Sequence, residues 1–506
     1  MTNGTRKPFD LFVIGGGING AGIARDAAGR GLDVALCDMN DFASGTSSRS
    51  TKLIHGGLRY LEQYEFRLVR EALAERETLL RMAPHIIWPM SFVLPQAPGM
   101  RPRWMIRAGL WLYGNLGGQS SLPAPNAITL RNTPEGAPLK DHLHEGFVYP
   151  DCCVDDARLV ILNIRSAADL GATILPRTRC ISAKRIATGW EIETKNELTG
   201  EHGIHQAAAL INATGPWVKR VINEALPIAS TADVKLIKGS HIVVPRLYDG
   251  NHAYLLQNDD RRVIFIIPYE KNFSLIGTTD TPLNEDKGPI EISTQEIDYL
   301  CSAVNRYLKT SVTSEQVSWT YAGVRALYDD NSGNPSDITR DYVLEVNDDK
   351  GKSPVLNIFG GKLTTYRRLA EKALEKLAPF FPAMKSAWTS TQPLPGGDMA
   401  NADFNGFVRD LWKTYDQLPQ EFLQDLARRY GARCHSLLGA ARTMNDLGVD
   451  FGAGLTEREI DFLIAEEWAM EVDDILWRRT KAGLHMTAPQ REIAAAYIHR
   501  ETKRRC

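Results

Sequence analysis

Hydrophobic and polar positions in the first forty residues follow the order strand, helix, strand. An apolar run covers residues 9–14, a glycine-rich stretch follows at 15–22, and 23–30 has a helical composition. Residues 32–38 form a second apolar run. Continuous apolar runs of this length indicate parallel strands buried on both faces, so we expect this unit to begin an α/β domain.

The rest of the chain shows both strand and helix patterns and then becomes helical. Helical spacing of apolar residues recurs over 60–82, 158–170, 295–308 and 363–377. Strands are predicted over 173–180, 190–195, 207–213 and 342–346, with several short strands in 235–279. A Pro- and Gly-rich stretch at 393–397 indicates a linker, and the composition after it predicts a helical C-terminal domain.

Composition and charge narrow the class of protein. The chain has 506 residues, so two or three domains are expected. Its 59 Lys and Arg residues nearly balance its 61 Asp and Glu residues, which argues against a nucleic-acid partner. Seven scattered cysteines form no CxxC pair and no metal-ligand spacing, so we expect reduced thiols, a cytoplasmic location and no metal. No signal peptide and no run of 18 apolar residues is present, so any membrane contact should be peripheral.

A glycine fingerprint follows the first predicted strand. Gly15, Gly17 and Gly20 form G-x-G-x-x-G at a strand-to-helix junction. They permit a tight turn, a close approach of the backbone to a pyrophosphate, and packing of the helix on the strand. Asp38 ends the second strand, where a carboxylate accepts hydrogen bonds from ribose hydroxyls. An acid there disfavours a 2′-phosphate, so the sequence predicts FAD or NAD rather than NADP.

Three further elements favour FAD over NAD. The 44–50 segment follows Asp38 too closely to be a second Rossmann helix, and its hydroxyls and amides suit the long pyrophosphate and ribityl chain of a flavin. Ala213 to Gly215 end a predicted strand with small side chains, so the backbone there can approach a nucleotide. Residues 359–362 precede the helix predicted over 363–377, whose N-terminus suits the flavin pyrimidine edge, because negative charge accumulates there on reduction.

Five blocks of the sequence are specific enough to compare with known families. They are FVIGGGINGAG (12–22), SSRSTKLIHGGLRYLE (47–62), IKGSH (237–241), YAGVR (321–325) and FGGKLTTYR (359–367). Together they resemble the FAD-dependent, membrane-associated bacterial glycerol-3-phosphate dehydrogenases over essentially the whole chain. The resemblance implies oxidation of sn-glycerol 3-phosphate to dihydroxyacetone phosphate, transfer of electrons to a membrane quinone, and a homodimer.

The resemblance also implies the fold. We expect an α/β protein with a glutathione-reductase-like (Rossmann-type) FAD-binding domain, a D-amino-acid-oxidase-like α+β substrate domain and an all-α C-terminal domain. The FAD-binding domain is predicted to comprise 1–90, 151–225 and 350–390. The substrate domain is predicted to comprise 91–150, which also faces the membrane, and 226–349. The helical domain is predicted over 391–506.

Residues expected to contact FAD lie in the glycine-rich junctions and in the 47–62 block. They are Gly15, Gly17, Asn19, Gly20, Asp38, Ser47, Ser48, Ser50, His55, Gly56, Ala213, Gly215, Gly360, Gly361, Leu363 and Thr364. Some relatives of this fold link flavin covalently through a histidine, but the family resembled here generally holds FAD without that bond. His55 is therefore expected only to lie beside the flavin.

The implied substrate is a small dianion, so its site needs cations. Arg59, Arg340 and Lys362 are expected to bind it together with Tyr60, and Arg325 is expected to act at the reacting centre. Oxidation of a secondary alcohol also requires a base for the hydroxyl proton. His241, at the start of an apolar strand, is assigned this role, with His55 as the alternative.

A basic and aromatic segment suggests contact with a membrane surface. Residues 78–134 contain no Asp or Glu, and their centre, 101–113, mixes Arg101, Arg103 and Arg107 with Trp104 and Trp111. Such a segment suits the headgroup region of an anionic membrane. The alternative is an internal helix whose charges pair with acids elsewhere in the chain.

Other functions predict other behaviour. A glycerol-3-phosphate oxidase would pass electrons to dioxygen, and a flavin amine or D-amino-acid oxidase would recognise a carboxylate rather than a phosphate. A flavin-binding sensor or scaffold without turnover would have no use for several cations and a histidine at the flavin. Reduction of the flavin by substrate without oxygen distinguishes an enzyme from a scaffold.

Overall fold

The computed structural model describes residues 7–97, 100–230, 232–260, 262–283, 290–328 and 341–505. The strands are β1 (Phe9–Ile14), β2 (Val34–Cys37), β3 (Leu53–Ile54), β4 (Ile87–Pro95), β5 (Asn126–Thr129), β6 (Glu145–Val154), β7 (Thr173–Leu175), β8 (Thr178–Ile186), β9 (Gly189–Asn196), β10 (His202–Asn212), β11 (Val234–Pro245), β12 (Ala253–Gln257), β13 (Val263–Tyr269), β14 (Phe273–Gly277), β15 (Thr281–Leu283), β16 (Trp319–Tyr328), β17 (Val343–Asp349) and β18 (Lys352–Phe359). The helices are α1 (Ile18–Gly29), α2 (Phe66–Met82), α3 (Arg103–Leu116), α4 (Asp156–Asp169), α5 (Val218–Ala225), α6 (Thr294–Asn305), α7 (Tyr366–Leu377), α8 (Phe404–Thr414), α9 (Gln420–Tyr430), α10 (Cys434–Leu438), α11 (Glu457–Glu467), α12 (Ala482–His485) and α13 (Ala488–Arg505).

The first sheet is the framework of the predicted nucleotide-binding domain. Its strands run in the order β17-β18-β10-β1-β2-β7, with β9 beside β10 and β8 beside β9. The five neighbours β18, β10, β1, β2 and β7 are parallel, and α1 provides the crossover that joins β1 to β2. Helices α1, α4 and α7 cover one face. The ring of Tyr366 packs closely on Gly22: a Cβ atom added to Gly22 would lie 2.6 Å from the ring.

The second sheet is mainly antiparallel and has ten strands. Its order is β15-β11-β14-β13-β12-β4-β6-β3, with β16 paired to β11 and β5 to β6. Helix α6 packs on one face through Leu300 and Val304. Helices α2 and α3 pack on the other face through Leu73, Leu110 and Tyr113. A sheet covered by helices on both faces buries two apolar layers, as an α+β domain requires.

The last part of the chain is helical, as its composition predicts. Helices α8 to α13 enclose a separate apolar core that includes Leu423, Leu438 and Leu463. A π-helical turn, Asp474–Arg479, interrupts this domain. The three parts together confirm the predicted fold class. Within the described ranges, no helix is long and apolar enough to cross a membrane.

Backbone turns interrupt two of the predicted elements. The helix predicted over 60–82 begins only at Phe66, because Gly57 and Tyr64 have left-handed backbone conformations and the residues between them form a 3-10 turn, Leu58–Gln63. The strand predicted over 173–180 is two strands, since Arg177 adopts a φ of 51° between β7 and β8. Both breaks place side chains beside the cavity described next.

Candidate active site

A cavity of about 850 Å³ lies between the two sheets. It is lined by residues at the ends of β1, β2 and β10, by β11 and β16, and by the loops after β2 and β18. The predicted site residues on its wall are Gly15, Gly17, Asn19, Asp38, Ser47, Ser50, His55, Tyr60, Ala213, Gly215, His241, Arg325, Gly360, Gly361, Lys362, Leu363 and Thr364. The fold therefore gathers residues from widely separated parts of the chain around one space.

The glycine turn at one end of the cavity has no room for side chains. Gly15 has a φ of 108°, and a Cβ there would lie 2.7 Å from the carbonyl oxygen of Ala213. A Cβ on Gly20 would lie 1.9 Å from the carbonyl oxygen of Gly15. The Oδ1 atom of Asn19 is buried, and no donor within the described part of the chain reaches it. A tight turn with an unsatisfied acceptor at a helix N-terminus fits a bound dinucleotide.

Asp38 lies at the opposite side of this turn. Its carboxylate accepts hydrogen bonds from the backbone amides of Gly16, at 2.7 Å, and Asn40, at 2.8 Å. Burial raises the pKa of Asp38 to about 6, although these amides oppose the shift. The carboxylate is therefore fixed at the cavity wall, where it can accept from a ribose hydroxyl.

A buried ion pair, Lys52–Asp156, stabilises the loop over 47–52. Lys52 Nζ lies 2.7 Å from the carboxylate of Asp156 and donates to the carbonyl of Ser48 at 3.0 Å. The hydroxyl of Ser50 donates to the same carboxylate at 2.8 Å. The hydroxyl of Ser47 accepts from the amide of Ile18 at 3.0 Å, at the start of α1. The loop is thus held against both the glycine turn and α4.

The segment before α7 closes the other end of the nucleotide path. Gly360 and Gly361 have φ values of 80° and 104°, and a Cβ on Gly361 would lie 2.7 Å from the side-chain amide nitrogen of Asn19. That amide donates to the carbonyl of Gly360 at 3.2 Å. The hydroxyl of Thr364 accepts from the backbone amide of His55 at 3.3 Å. Three separate segments of the chain, at Asn19, His55 and 360–364, therefore meet at this point.

His241 lies on β11 and is almost fully buried, with 1% of its surface exposed. Its ring stacks on Tyr321 at 4.7 Å, and it opposes Gly277, where a Cβ would come within 2.0 Å of the ring. Nε2 lies 3.0 Å from the hydroxyl of Thr51. Burial, with the positive charges of Arg325 and Lys52, lowers the pKa of His241 well below its ordinary value. The ring is therefore neutral, as a proton acceptor must be.

Arg325 projects from β16 beside His241. Its guanidinium donates to the carboxylate of Asp280 and, at 3.0 Å, to the hydroxyl of Thr278. A Cβ on Gly239 would lie 2.7 Å from this guanidinium, so the glycine leaves space for it. Arg325 and His241 therefore line the same cavity, and no sequence pattern marked Asp280 as the partner of Arg325.

Lys362 and Tyr60 are in contact with each other on the cavity wall. Lys362 Nζ lies 3.8 Å from the centroid of the Tyr60 ring, which is the geometry of a cation–π contact. The two residues come from distant blocks of the sequence, 47–62 and 359–367. A cation and a phenol that line the same wall can both donate to an anionic substrate.

Some predicted residues lie behind the cavity wall or beyond the described ranges. Gly20 packs on Gly15, Ser48 offers its carbonyl to Lys52, and the amide of Gly56 donates to the buried Tyr113 hydroxyl at 2.8 Å. Arg59 is half-buried and does not form part of the wall. Arg340 lies outside the described residues.

Several cavity residues were missed by sequence reasoning. Arg49 and Thr51 are two of them; both belong to the 47–62 block, in which only neighbouring residues are predicted to bind FAD or substrate. Arg49 donates to the carbonyl of Ala322 at 3.2 Å, and burial, together with the charge of Arg478, lowers its pKa. Arg478 itself belongs to the helical domain, as do two other wall residues, Glu471 and Asp473. No motif marks these three, because only the folded chain brings them to the cavity.

The parallel sheet with a glycine turn, the acid at the end of β2 and the adjoining antiparallel sheet define a flavin-dependent oxidoreductase. Comparison with known families agrees. Residues 10–367 match the family described as FAD dependent oxidoreductase, and 387–500 match the C-terminal domain of alpha-glycerophosphate oxidase.

Known proteins match nearly the whole chain. It is 52% identical to D-erythritol 1-phosphate dehydrogenase of Brucella abortus (97% of each chain covered) and 48% identical to aerobic glycerol-3-phosphate dehydrogenase of Escherichia coli (98% of each). The solved structure of glycerol-3-phosphate dehydrogenase from Bacillus halodurans, complexed with FAD, superimposes with a TM-score of 0.76 at 26% identity and covers 99% of this chain and 95% of that one. The chain belongs to the FAD-dependent glycerol-3-phosphate dehydrogenase family. The predicted cofactor, FAD, and the predicted enzyme class are thereby confirmed.

Proposed function

We propose that this protein oxidises sn-glycerol 3-phosphate to dihydroxyacetone phosphate and passes the electrons to a membrane quinone. The observation that carries the proposal is that a neutral histidine, His241, and the cations Arg325 and Lys362 line the same cavity. A phosphorylated secondary alcohol needs both features, a proton acceptor and positive charge. When bound, FAD supplies the two-electron acceptor for the hydride.

The cations of the cavity suit a phosphate dianion. Lys362 presents an ammonium over Tyr60, and Arg325 can offer parallel donors while Asp280 fixes its orientation. Arg59 and Arg340 stay predicted substrate ligands on the strength of the family resemblance. Charge-assisted hydrogen bonds contribute roughly 1.5–3 kcal/mol each, so two of them can hold a small substrate.

His241 then takes the hydroxyl proton. Burial, together with the charges of Arg325 and Lys52, disfavours its protonated form, so the ring is neutral and keeps a lone pair for that proton. A bound phosphate dianion offsets those charges, so the pKa of His241 should rise when substrate is present. The base therefore becomes more effective when substrate fills the cavity.

The direct test is the flavin spectrum without oxygen. Addition of glycerol 3-phosphate to the purified holoenzyme under argon should bleach the flavin absorbance, and a soluble quinone analogue should restore it. A flavin that stays oxidised in the presence of this compound would overturn the proposal. Turnover that needs dioxygen and releases hydrogen peroxide would favour the oxidase instead.

A second candidate substrate is D-erythritol 1-phosphate, which the Brucella relative is named for. Both compounds are phosphorylated polyols with a secondary hydroxyl, so the same cations and base serve either one. The ratio of kcat/KM for the two compounds decides between them, because one extra hydroxymethylene group must be accommodated or excluded by the cavity.

The proposed membrane contact is supported by the exposed face of α3. Trp104 and Trp111 are 69% and 68% exposed, and with Ala108 they occupy one stripe of the helix. Leu110 and Tyr113 on the opposite side are buried against the second sheet. Trp residues exposed in this way are typical of the membrane interface.

Basic side chains flank this stripe. Arg107 is exposed, Arg103 lies 2.7 Å from Glu145, and Arg101 lies 3.1 Å from Glu62. Exposed pairs contribute only about 0–1 kcal/mol, so these arginines can exchange carboxylates for lipid phosphates. Tyr64 and Phe66, which follow the 3-10 turn that contacts α3, extend the exposed apolar surface. We infer peripheral attachment to the cytoplasmic face of the cell membrane, where a quinone is available.

The homodimer rests on the family resemblance, and sedimentation equilibrium would test it.

A further inference from the structure

The helical C-terminal domain reaches the FAD cavity. Glu471, Asp473 and Arg478 stand on the cavity wall, which also includes Asp38, Asn40 and the turn at Arg177. They lie in or next to the π-helical turn Asp474–Arg479. Turns of this kind are rare in helices and are found frequently at functional sites.

The loop that follows β2 depends on this domain. Residues 38–47 line the cavity along most of their length, whereas the side chains of Asp41 and Phe42 are buried behind its wall. Asp41 accepts hydrogen bonds from Arg478 Nε at 2.6 Å and from both terminal nitrogens of Arg479 at 2.6 and 2.8 Å. Both arginines belong to the π-helical turn.

Phe42 connects the same domain to the glycine turn. Trp468 of the helical domain contacts the Phe42 ring edge-on, with the ring centroids 5.8 Å apart. On its other side the Phe42 ring packs on Gly16: a Cβ atom added to Gly16 would lie 2.3 Å from the ring. The next residue, Ala43, has a left-handed φ of 63°, and strain of this sort persists only where surrounding contacts enforce it.

A second anchor joins the domain to the strand pair beside Asp38. Asp474 is fully buried and accepts from Arg177 at 2.9 Å and from the amides of Met470 and Glu471. Arg177 forms the turn between β7 and β8, and its amide donates to the carbonyl of Asn40 at 3.3 Å. The 38–47 loop and the turn at Arg177, which both line the cavity near Asp38, are therefore both bound to the π-helical turn of the helical domain.

We propose that the helical domain is part of the FAD site, because the Asp41–Arg478–Arg479 cluster and the Trp468–Phe42 contact hold the 38–47 loop in the conformation that retains the cofactor. The apparent affinity for a ligand falls in proportion to the fraction of molecules that hold the binding conformation. Loosening the cluster should therefore release FAD even though no substrate residue is touched. This role does not depend on which polyol phosphate is oxidised.

The test compares two fully buried carboxylates that both join the helical domain to the rest of the chain. Asp41→Asn removes the charge that holds the loop. Glu467→Gln removes the partner of Arg158, a pair buried to the same degree but away from the cavity wall. Both exchanges keep the size of the side chain. Each holoenzyme is diluted, and the FAD dissociation constant is measured from the recovery of free-flavin fluorescence, with the thermal midpoint as a second readout.

The dissociation constant should rise about tenfold or more in Asp41→Asn and stay within about twofold in Glu467→Gln, while both variants lose thermal stability. Equal retention of FAD in both variants, or equal loss, would overturn the proposal, since the effect would then be absent or general. If Asp41→Asn fails to fold, Arg478→Gln, at the partly exposed rim of the cluster, takes its place with the same expected result.

Discussion

The hydroxyl of Thr51 lies 3.0 Å from Nε2 of His241. The other ring nitrogen, Nδ1, is buried without a hydrogen-bond partner among the residues the structure describes. If Nε2 carries the proton and donates it to Thr51, Nδ1 keeps its lone pair. A proton on Nδ1 would be buried without an acceptor among the described residues, so the tautomer that carries the proton on Nε2 and donates it to Thr51 is favoured.

Replacement of Thr51 should slow flavin reduction without loss of cofactor. Thr51→Val keeps the shape of the side chain but removes the oxygen, so the tautomer is no longer fixed and the reduction rate should fall about tenfold or more. Thr51→Ser keeps the oxygen and should restore most of the rate. Anaerobic stopped-flow traces over a pH series check this, with FAD content and substrate affinity as controls. Equal rates in the two variants would show that the hydroxyl has no part in orienting the base.

Gly20→Ala should abolish tight binding of FAD. The added Cβ would lie 1.9 Å from the carbonyl oxygen of Gly15, so the glycine turn must move, at a cost of about 1–3 kcal/mol. The matched control is Gly109→Ala in α3, where nothing lies within 4 Å of the new carbon and alanine favours the helix. The ratio of flavin to protein after gel filtration measures the effect. Full flavin content in Gly20→Ala would contradict the assigned role of the turn.

The position of Gly20 in the site can be predicted from the sequence, whereas the contact of Thr51 with His241 cannot. Gly15, Gly20 and Asp38 lie within one strand–helix–strand unit, so their spacing fixes their arrangement. Thr51 and His241 are separated by 190 positions, and no periodicity of the chain predicts that they meet. Arg59 and Tyr60 are neighbours on the 3-10 turn after Gly57, and only the fold shows that Tyr60 lines the cavity whereas Arg59 does not.

The contact of the helical domain with the 38–47 loop could not be predicted from the sequence for a related reason. Asp41 and Arg478 are 437 positions apart, and each resembles an ordinary surface charge in its own segment. Local patterns report which face of an element is buried, whereas they carry little information on which distant element covers it. The resemblance to a family supplied the long-range part of the fold that periodicity could not.

Lys362→Met should weaken substrate binding and leave FAD in place. The loss of one charge-assisted hydrogen bond to phosphate, about 2 kcal/mol, corresponds to roughly a thirtyfold rise in KM. The control is Lys372→Met on α7, which removes a lysine that also lies over a tyrosine ring, 5.2 Å from Tyr342, but outside the FAD cavity. Steady-state rates with a soluble dye give both values. An unchanged KM in Lys362→Met would remove this lysine from the substrate site.

Stability should depend on pH through His85. Burial, reinforced by the charges of Arg158, Arg428 and Arg433, lowers the pKa of His85 to about 3. The unfolded chain, with a histidine pKa of about 6.5, therefore binds more protons below that pH, and the free energy of unfolding falls as pH drops from about 6.5 toward about 3. Between about pH 6.5 and 5.5 the loss is about 1 kcal/mol.

The variant His85→Met should remove this share of the pH dependence, so its thermal midpoint should fall less between about pH 6.5 and 5.5 than that of the parent. The matched control changes His202, an exposed histidine, to Gln. Parallel curves for the parent and His85→Met would contradict the assignment, because the histidine would then titrate alike in the folded and unfolded chains.

Loss of the aromatic stripe on α3 should release the protein from membranes. Trp104→Ser with Trp111→Ser removes two large exposed side chains, and Arg107→Gln removes an adjacent charge that is worth about 1 kcal/mol near an anionic surface. Cosedimentation with phosphatidylglycerol vesicles should therefore fall steeply, while activity with a soluble dye stays at the parent level. The control exchanges Ile204 and Ile493 for Ser, because these residues are 64% and 60% exposed on other parts of the surface. If only the α3 variant leaves the vesicles, this helix carries the attachment. If both variants stay bound or both are released, the contact lies elsewhere.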